Sequence, residues 1–355
     1  MIKLLWILLL SSMLFAGELL TLHPYKNNEF SPALKQKFKI TFTIKEDAKV
    51  KIDIYTPDNN LIRTLQADMK QGEGFLIWDG KDNDNVVVPD EAYNIVITAR
   101  NLNSVDILDS RTTGGKVIKK LSTKVDNLGN INFTLPEPSR VLIRAGIANS
   151  SMLRVISNWV PKNRGKIIQR WDMRDADNLV DVAQLDFAIS ISAYTLPKYA
   201  ILTINNHELD YFTYFKNAQM KCNNFPKEKQ VLKQDKYSIS KHFYQCRIKD
   251  RDPRLFVTIP HAPKNDQNIS ILKNGQSTLI KVSMHPEDEK IIEKSKYEVS
   301  FFIDFEFSSE EELGYMPISW NFNPNGLSKG NHILTVNVSS FTGQVGLKSY
   351  KFIIE

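Results

Sequence analysis

The sequence predicts an all-β protein built as a tandem of two-layer sandwiches. Three observations carry this expectation. Apolar residues recur at every second position in short stretches, clusters of Asp, Asn, Gly and Pro punctuate those stretches, and one pattern occurs twice at an offset of 91 residues. With 355 residues the chain has room for two or three domains of about 150 residues. A composition that is 42% hydrophobic and 24% charged, with 15 Gly and 15 Pro, excludes wholesale disorder and fibrous repeats.

The amino terminus sets the expected compartment. Met1-Ile2-Lys3 precedes an apolar run at residues 4–10, two serines and Met13-Leu14-Phe15-Ala16-Gly17. One positive charge, a short apolar stretch and a small-residue exit make a secretory signal, so residues 1–16 are expected to be removed, with cleavage after Ala16 or Gly17. Residues 17–31 then read as a linker. The run is too short to cross a ~30 Å hydrocarbon core, and later segments stay below the ~18 apolar residues of a span. Glu18 stands where a lipid-modified cysteine would be. The expected product is exported, periplasmic or at the cell surface, without a membrane anchor. Its two cysteines, Cys222 and Cys246, form an even count that favours one disulfide in such a compartment. Closing a loop of about 25 residues stabilises by roughly 3.5 kcal/mol in the chain-entropy argument.

The repeat organises the first half. Phe42-Thr43-Ile44 through Val50-Lys51-Ile52 matches Phe133-Thr134-Leu135 through Val141-Leu142-Ile143, and Leu61-Ile62-Arg63-Thr64-Leu65 matches Met152-Leu153-Arg154-Val155-Ile156. Shifted by two more, Trp78-Asp79-Gly80-Lys81-Asp82 pairs with Trp171-Asp172-Met173-Arg174-Asp175. Tyr93, Ile95, Ile97 and Ala99 then pair with Phe187, Ile189, Ile191 and Ala193. Each block alternates with period two, so each is a strand with one face inward. Pro57-Asp58-Asn59-Asn60 and Asp82-Asn83-Asp84-Asn85 supply turns, because Asp and Asn bond their own backbone and tolerate left-handed conformations. Trp78 and Trp171 are the expected anchors of the two cores, with Asp79, Gly80 and Asp172 shaping the turns beside them.

The succession of Val50-x-Ile52-x-Ile54, Leu61-Ile62-Arg63-Thr64-Leu65, Gly74-Phe75-Leu76-Ile77-Trp78-Asp79-Gly80-Lys81-Asp82 and Val88-Pro89-Asp90-Glu91-Ala92-Tyr93 resembles the Ig-like domain of flagellar hook-capping proteins, a family also found in other exported bacterial proteins. The resemblance covers residues 32–103 and implies a fibronectin-III-like sandwich with no catalytic residues. The repeat makes residues 104–197 a second copy, in which Met173 replaces the turn glycine and Asp181-Val182-Ala183 replaces the Val-Pro stretch. Hook-capping proteins leave through the flagellar export apparatus, whereas this chain carries a secretory signal, so a hook cap is not the expectation.

Residues 263–355 alternate again. Asn323-Pro324-Asn325-Gly326 and Ser328-Lys329-Gly330 act as turns, and Leu327 to Val336 with Gly343-Gln344-Val345-Gly346 resembles the last hairpin of bacterial Ig-like modules. A C-terminal Ig-like domain follows. Between the sandwiches, residues 198–262 hold 12 Lys or Arg against 6 Asp or Glu, together with ten Phe or Tyr, while the whole chain carries only +6. This basic, aromatic, disulfide-containing insert is the candidate interaction surface, through Tyr211, Phe212, Tyr214, Lys241, Phe243, Tyr244 and Arg247. A packed aromatic core with solvated lysines is the alternative. Stacking on single-stranded nucleic acid is set aside for an exported protein.

Other chemistry is thinly supported. Asp79, Asp82 and Asp84 recur as Asp172, Asp175 and Asp177 and could ligate calcium. Neither loop places a glycine at the tight turn of such sites or carries their distal bidentate Glu, which favours turns built on Asx bonds. The histidines are scattered, at 23, 207, 242, 261, 285 and 332. A metal site on His207 or His242 competes with the disulfide for Cys246. Glu310-Glu311-Glu312 reads as a solvated loop rather than a facing carboxylate pair. No cofactor is expected. The sequence therefore points to a non-enzymatic envelope scaffold or adaptor that binds an envelope or extracellular protein. A polysaccharide-binding module and a metal-binding protein or enzyme are the alternatives.

Overall fold

The computed structural model describes residues 19–223 and 238–355. The expected signal at 1–16 lies outside the described residues, as do positions 17 and 18 and part of the basic insert. The chain forms two compact units, and it passes between them three times in sequence. The first unit holds residues 19–114 and 196–223; the second holds 115–195 and 238–355.

In the first unit, β1 (Leu20–Leu22), β3 (Phe38–Ile44) and β6 (Gly72–Trp78) form one sheet, in the order β1-β3-β6. The other contains β2 (Glu29–Phe30), β4 (Ala48–Tyr55), β5 (Leu61–Met69), β7 (Ala92–Arg100), β8 (Val105–Asp109) and β15 (Ile201–Thr203), in the order β2-β15-β7-β4-β5 with β8 also on β7. The expected alternation is what fills the core. Ile40, Phe42, Val50, Ile52, Ile54, Ile95 and Ile97 are fully buried between the sheets, around Trp78 and Tyr93.

Two boundaries differ from the expectation. Residues 17–31 are not simply a linker: β1 and β2 are strands of the sandwich, Leu19 and Leu20 are buried, and Asp106 Oδ2 accepts their backbone N–H groups at 2.6 and 2.9 Å. Nor does an independent module begin at 198. Strand β15 lies along the same edge of β7 as β8, with Thr203 Oγ1 donating to Pro89 O and accepting from Glu91 N. The sheet is thus completed by a segment about 100 residues later in the chain, which local periodicity cannot reveal. Helix α1 (Tyr211–Asn217) follows, capped by Asp210, whose carboxylate accepts from Phe212 N and Thr213 N.

The second unit contains two sandwiches. In the first of them, β9 (Lys124–Val125), β10 (Asn130–Leu135) and β13 (Gly165–Arg170) face β11 (Ser139–Ile147), β12 (Met152–Lys162) and β14 (Phe187–Thr195). Its register reproduces that of the first unit. Val141 pairs with Ala193 as Val50 does with Ala99, Ile143 with Ile191 as Ile52 with Ile97, and Phe133 with Ile167 as Phe42 with Gly74.

The remaining strands are β16 (Leu255–Thr258), β17 (Ser270–Leu272), β18 (Thr278–Met284), β19 (Tyr297–Ile303), β20 (Glu306–Glu311), β21 (Ile318–Phe322), β22 (Gly330–Ser340) and β23 (Val345–Ile354), with helix α2 (Pro286–Ile292) after β18. They make sheets β16-β18-β21 and β17-β23-β22-β19-β20 around Ile280, Val282, Val299, Phe301, Val336 and Phe352. Strand β16 extends this sandwich to the amino-terminal side of residue 263. Asn337, on β22, joins the two sandwiches of the unit. Its amide accepts from Met152 N at 2.8 Å and donates to Met152 O at 2.9 Å, acting as a one-residue strand on β12.

Candidate functional site

The loops after the two anchor tryptophans are built alike. Trp78 Nε1 donates to Lys81 O and Trp171 Nε1 to Arg174 O, each at 2.9 Å. Asp79 accepts from Lys81 N as Asp172 does from Arg174 N. Arg63 reaches Asp82 O and Arg154 reaches Asp175 O. Gly80 has φ +74°, and a Cβ there would collide with the Pro32 ring; Met173 occupies the same kind of left-handed turn at φ 55°.

Five of the six carboxylates considered for calcium, all but that of Asp84, are engaged within the protein. Asp82 Oδ1 accepts from Asp84 N and Val86 N, Asp175 Oδ1 accepts from Leu179 N and Val180 N, and Asp177 holds Lys348 Nζ and Ser349 N. Among the described residues no group of three or more His, Cys, Asp or Glu is arranged to hold a metal. Cys222 and Cys246 are disulfide-bonded, which removes the thiolate from any site with His242.

The aromatic and basic surface expected in the insert is corrected. Tyr211, Tyr214, Phe243 and Arg247 are buried; Phe212 is half-buried, and only Lys241 and Tyr244 stand exposed. Residues 211–214 belong to the first unit and 241–247 to the second. The reason is chemical. Tyr211 OH donates to Asp58 Oδ2 and Tyr214 OH to Asp82 Oδ2, both at 2.8 Å, so each tyrosine buries its ring and satisfies its hydroxyl at once. Burial first, then the neighbouring carboxylate, raises both hydroxyls well above the ordinary tyrosine range. Tyr214→Phe should cost about 1–2 kcal/mol, read from denaturant unfolding, because it removes one charge-assisted bond and no packing. In the corresponding loop after Trp171, Asp175 Oδ2 is buried with no donor among the described residues.

In the second unit, residues 240–252 build a polar core. His242 Nδ1 lies 2.8 Å from Asp250 Oδ1, its ring packs on Trp159 at 4.4 Å between centroids, and Gln245 donates to the same carboxylate. Arg247 donates to Asn158 O, and Asn158 Nδ2 donates to Asp250 O and Asp252 Oδ2. Asp252 Oδ1 accepts from Val345 N. Burial pushes its carboxyl up to about 6, against the opposing pull of the Val345 N–H and the Arg144 and Arg247 charges. This segment therefore fastens β12 to the β22–β23 turn. Lys241 Nζ on Phe341 O, Gln344 Nε2 on Lys249 O and Arg144 Nη2 on Gly343 O complete the attachment.

Sheet edges also remain exposed, with Ile168 on β13 65% accessible. Residues 115–195 hold 12 Lys or Arg against 7 Asp or Glu, whereas 17–114 hold 12 against 15, a contrast hidden when the two segments are summed. A groove of about 610 Å³ opens between the β12 and β13 edges, lined by Arg154, Val155, Ile156, Arg170 and Trp171 among others. Sequence reasoning missed it because the charge was sought in the insert; counting 17–114 and 115–195 separately would have located it.

Residues 27–103 match the family model of the FlgD Ig-like domain. The basal-body rod modification protein FlgD of Salmonella typhimurium is 41% identical over 54 residues, which is 15% of this chain and 23% of that protein; FlgD of Salmonella typhi matches equally. The chain therefore spans under a quarter of the length of these curated relatives. Among solved structures, FlgD from P. aeruginosa is 18% identical, covering 21% of this chain and 60% of that one at a TM-score of 0.20. A tetra-tandem repeat from the extending region of a large adhesion protein is 10% identical, covering 95% and 73% at a TM-score of 0.20. Among the described residues no helix is long and apolar enough to cross a membrane.

Proposed function

We propose that the protein is a non-enzymatic, exported envelope scaffold whose Ig-like sandwiches present sheet edges to a protein partner. On this reading residues 104–197 are a second FlgD-type copy, supported by the recurring Trp, Asp and Arg contacts of the loop, and residues 263–355 are a further Ig-like module. The observation that carries the proposal is how the buried polar side chains are used. Tyr211 and Tyr214 fasten helix α1 to the loops after β4 and β6, and Arg247 and Asp250 fasten the 240–252 segment to Asn158 of β12, leaving rigid units with open edges. With those aromatics inside, a protein partner is favoured over a polysaccharide.

Cell fractionation with N-terminal sequencing, combined with photo-crosslinking from the exposed positions 75 and 168, tests it. The expected result is an envelope protein beginning at Gly17 or Glu18 with a discrete crosslinked product. A cytoplasmic protein that keeps residues 1–16, or crosslinks no stronger than from a buried position, overturns it.

A further inference from the structure

The backbone of an edge strand offers unpaired N–H and C=O groups, and folded proteins blunt such edges. Two long edges of the second unit are blunted. Along β12, Asn337 clasps Met152, Ala176 N bonds Leu153 O and Arg247 bonds Asn158 O. Strand β20 carries a register shift opposite Phe301 and Phe302 and runs into Glu310-Glu311-Glu312.

Strand β13 is left open. Among the described residues its six residues pair only with β10, without a register break and without proline. Lys166, Ile168 and Arg170 alternate on its exposed face, Ile168 being 65% exposed, and neither cation has an ion-pair partner among the described residues. The equivalent strand of the first copy, β6, has Glu73, Phe75 and Ile77 at these positions, with Lys39 Nζ 4.1 Å above the Phe75 ring. The basic character thus belongs to β13 and to the adjoining groove with Arg154.

We propose that the β13 edge binds an extended acidic segment of a partner protein by strand addition. The inference rests on the scaffold reading above and names the chemistry of the partner. Side chains facing each other on neighbouring strands are about 5 Å apart. A partner strand with carboxylates two positions either side of an aliphatic residue therefore sets acids against Lys166 and Arg170 and the aliphatic group against Ile168. A further carboxylate can reach Arg154 in the groove. Backbone bonds supply attachment, and the charges reject basic strands.

The test uses the full-length oxidised protein and a labelled peptide, Thr-Glu-Val-Leu-Val-Glu-Thr, with a second peptide in which lysine replaces both glutamates. Fluorescence anisotropy should show the acidic peptide bound about tenfold more tightly, weakening several-fold between ~50 and ~300 mM salt. Lys166→Glu with Arg170→Glu, checked for an unchanged melting temperature, should reverse the preference. The acidic peptide N-methylated at alternate residues should not bind. No charge preference, or equal binding of the methylated peptide, overturns the proposal. So does self-association of the wild-type protein that the peptide displaces, which would make a second copy the occupant. If these fail while export and crosslinking hold, the scaffold reading stands without this edge; loss of export removes the reading itself.

Discussion

Trp78→Ala should lower the stability of the first unit by about 3–5 kcal/mol, the range for truncating a large buried aromatic side chain. Trp78 is fully buried, meets Phe30 and Tyr93 edge-on at 5.5 and 5.3 Å, and donates from Nε1 to Lys81 O. Alanine leaves a cavity at the meeting point of both sheets and an unbonded carbonyl in the loop that Asp82 organises. Trp171→Ala should act at the lower end of that range and in the second unit, because among the described residues Trp171 has one edge-on aromatic neighbour, Phe187 at 5.7 Å. Hydrogen exchange resolved by peptide reads each unit separately. A loss below about 1 kcal/mol for Trp78→Ala would show that the indole is not the centre of its core.

The correspondence of these two tryptophans was legible in the sequence because a sandwich core is a local pattern repeated. Val50, Ile52, Ile95 and Ile97 alternate within their own strands, and the 91-residue offset carries the same alternation into β11 and β14. What was illegible depended on distant partners. Nothing near Ile201 announces that it will pair with Tyr93, and nothing near Asn337 announces that its amide will serve as backbone for Met152. The insert misled for a related reason. Tyrosine and arginine read as surface residues until their acceptors are known, and Asp58, Asp82 and Asn158 lie roughly 90 to 150 residues away. The β13 edge was legible in composition but was averaged away when residues 17–197 were summed.

Stability of the second unit should rise as pH falls from about 6 towards 4. Asp252, held between Asn158, Val345 N–H and the Arg144 and Arg247 charges with Asp250 nearby, has its carboxyl pushed up to about 6 by burial. In the unfolded chain an aspartate titrates near 3.9. Between those values the folded state binds the extra proton, so the derivative of unfolding free energy with pH is negative there. Integrated, the effect is on the order of 2–3 kcal/mol, gained on acidification and lost again above pH 6. His332 contributes in the same direction at higher pH. Its raised pKa persists although burial opposes it, because Asp304 Oδ2 lies 2.5 Å from Nδ1 and Ser328 O faces Nε2. Its stabilisation is complete below the ordinary histidine range and lost as pH rises through the folded value. Asp126, lowered by bonds from Asn130 and Leu128, pulls the other way only once pH drops below the ordinary carboxylate range. Asp252→Asn should therefore flatten the segment between pH 4 and 6 and leave the histidine segment intact, whatever it does to absolute stability through Arg144. Guanidinium unfolding across a pH series reads both segments. A wild-type protein less stable at pH 5 than at pH 7, or a variant that keeps the lower segment, would place the titrating group elsewhere than in the contact between β12 and the β22–β23 turn.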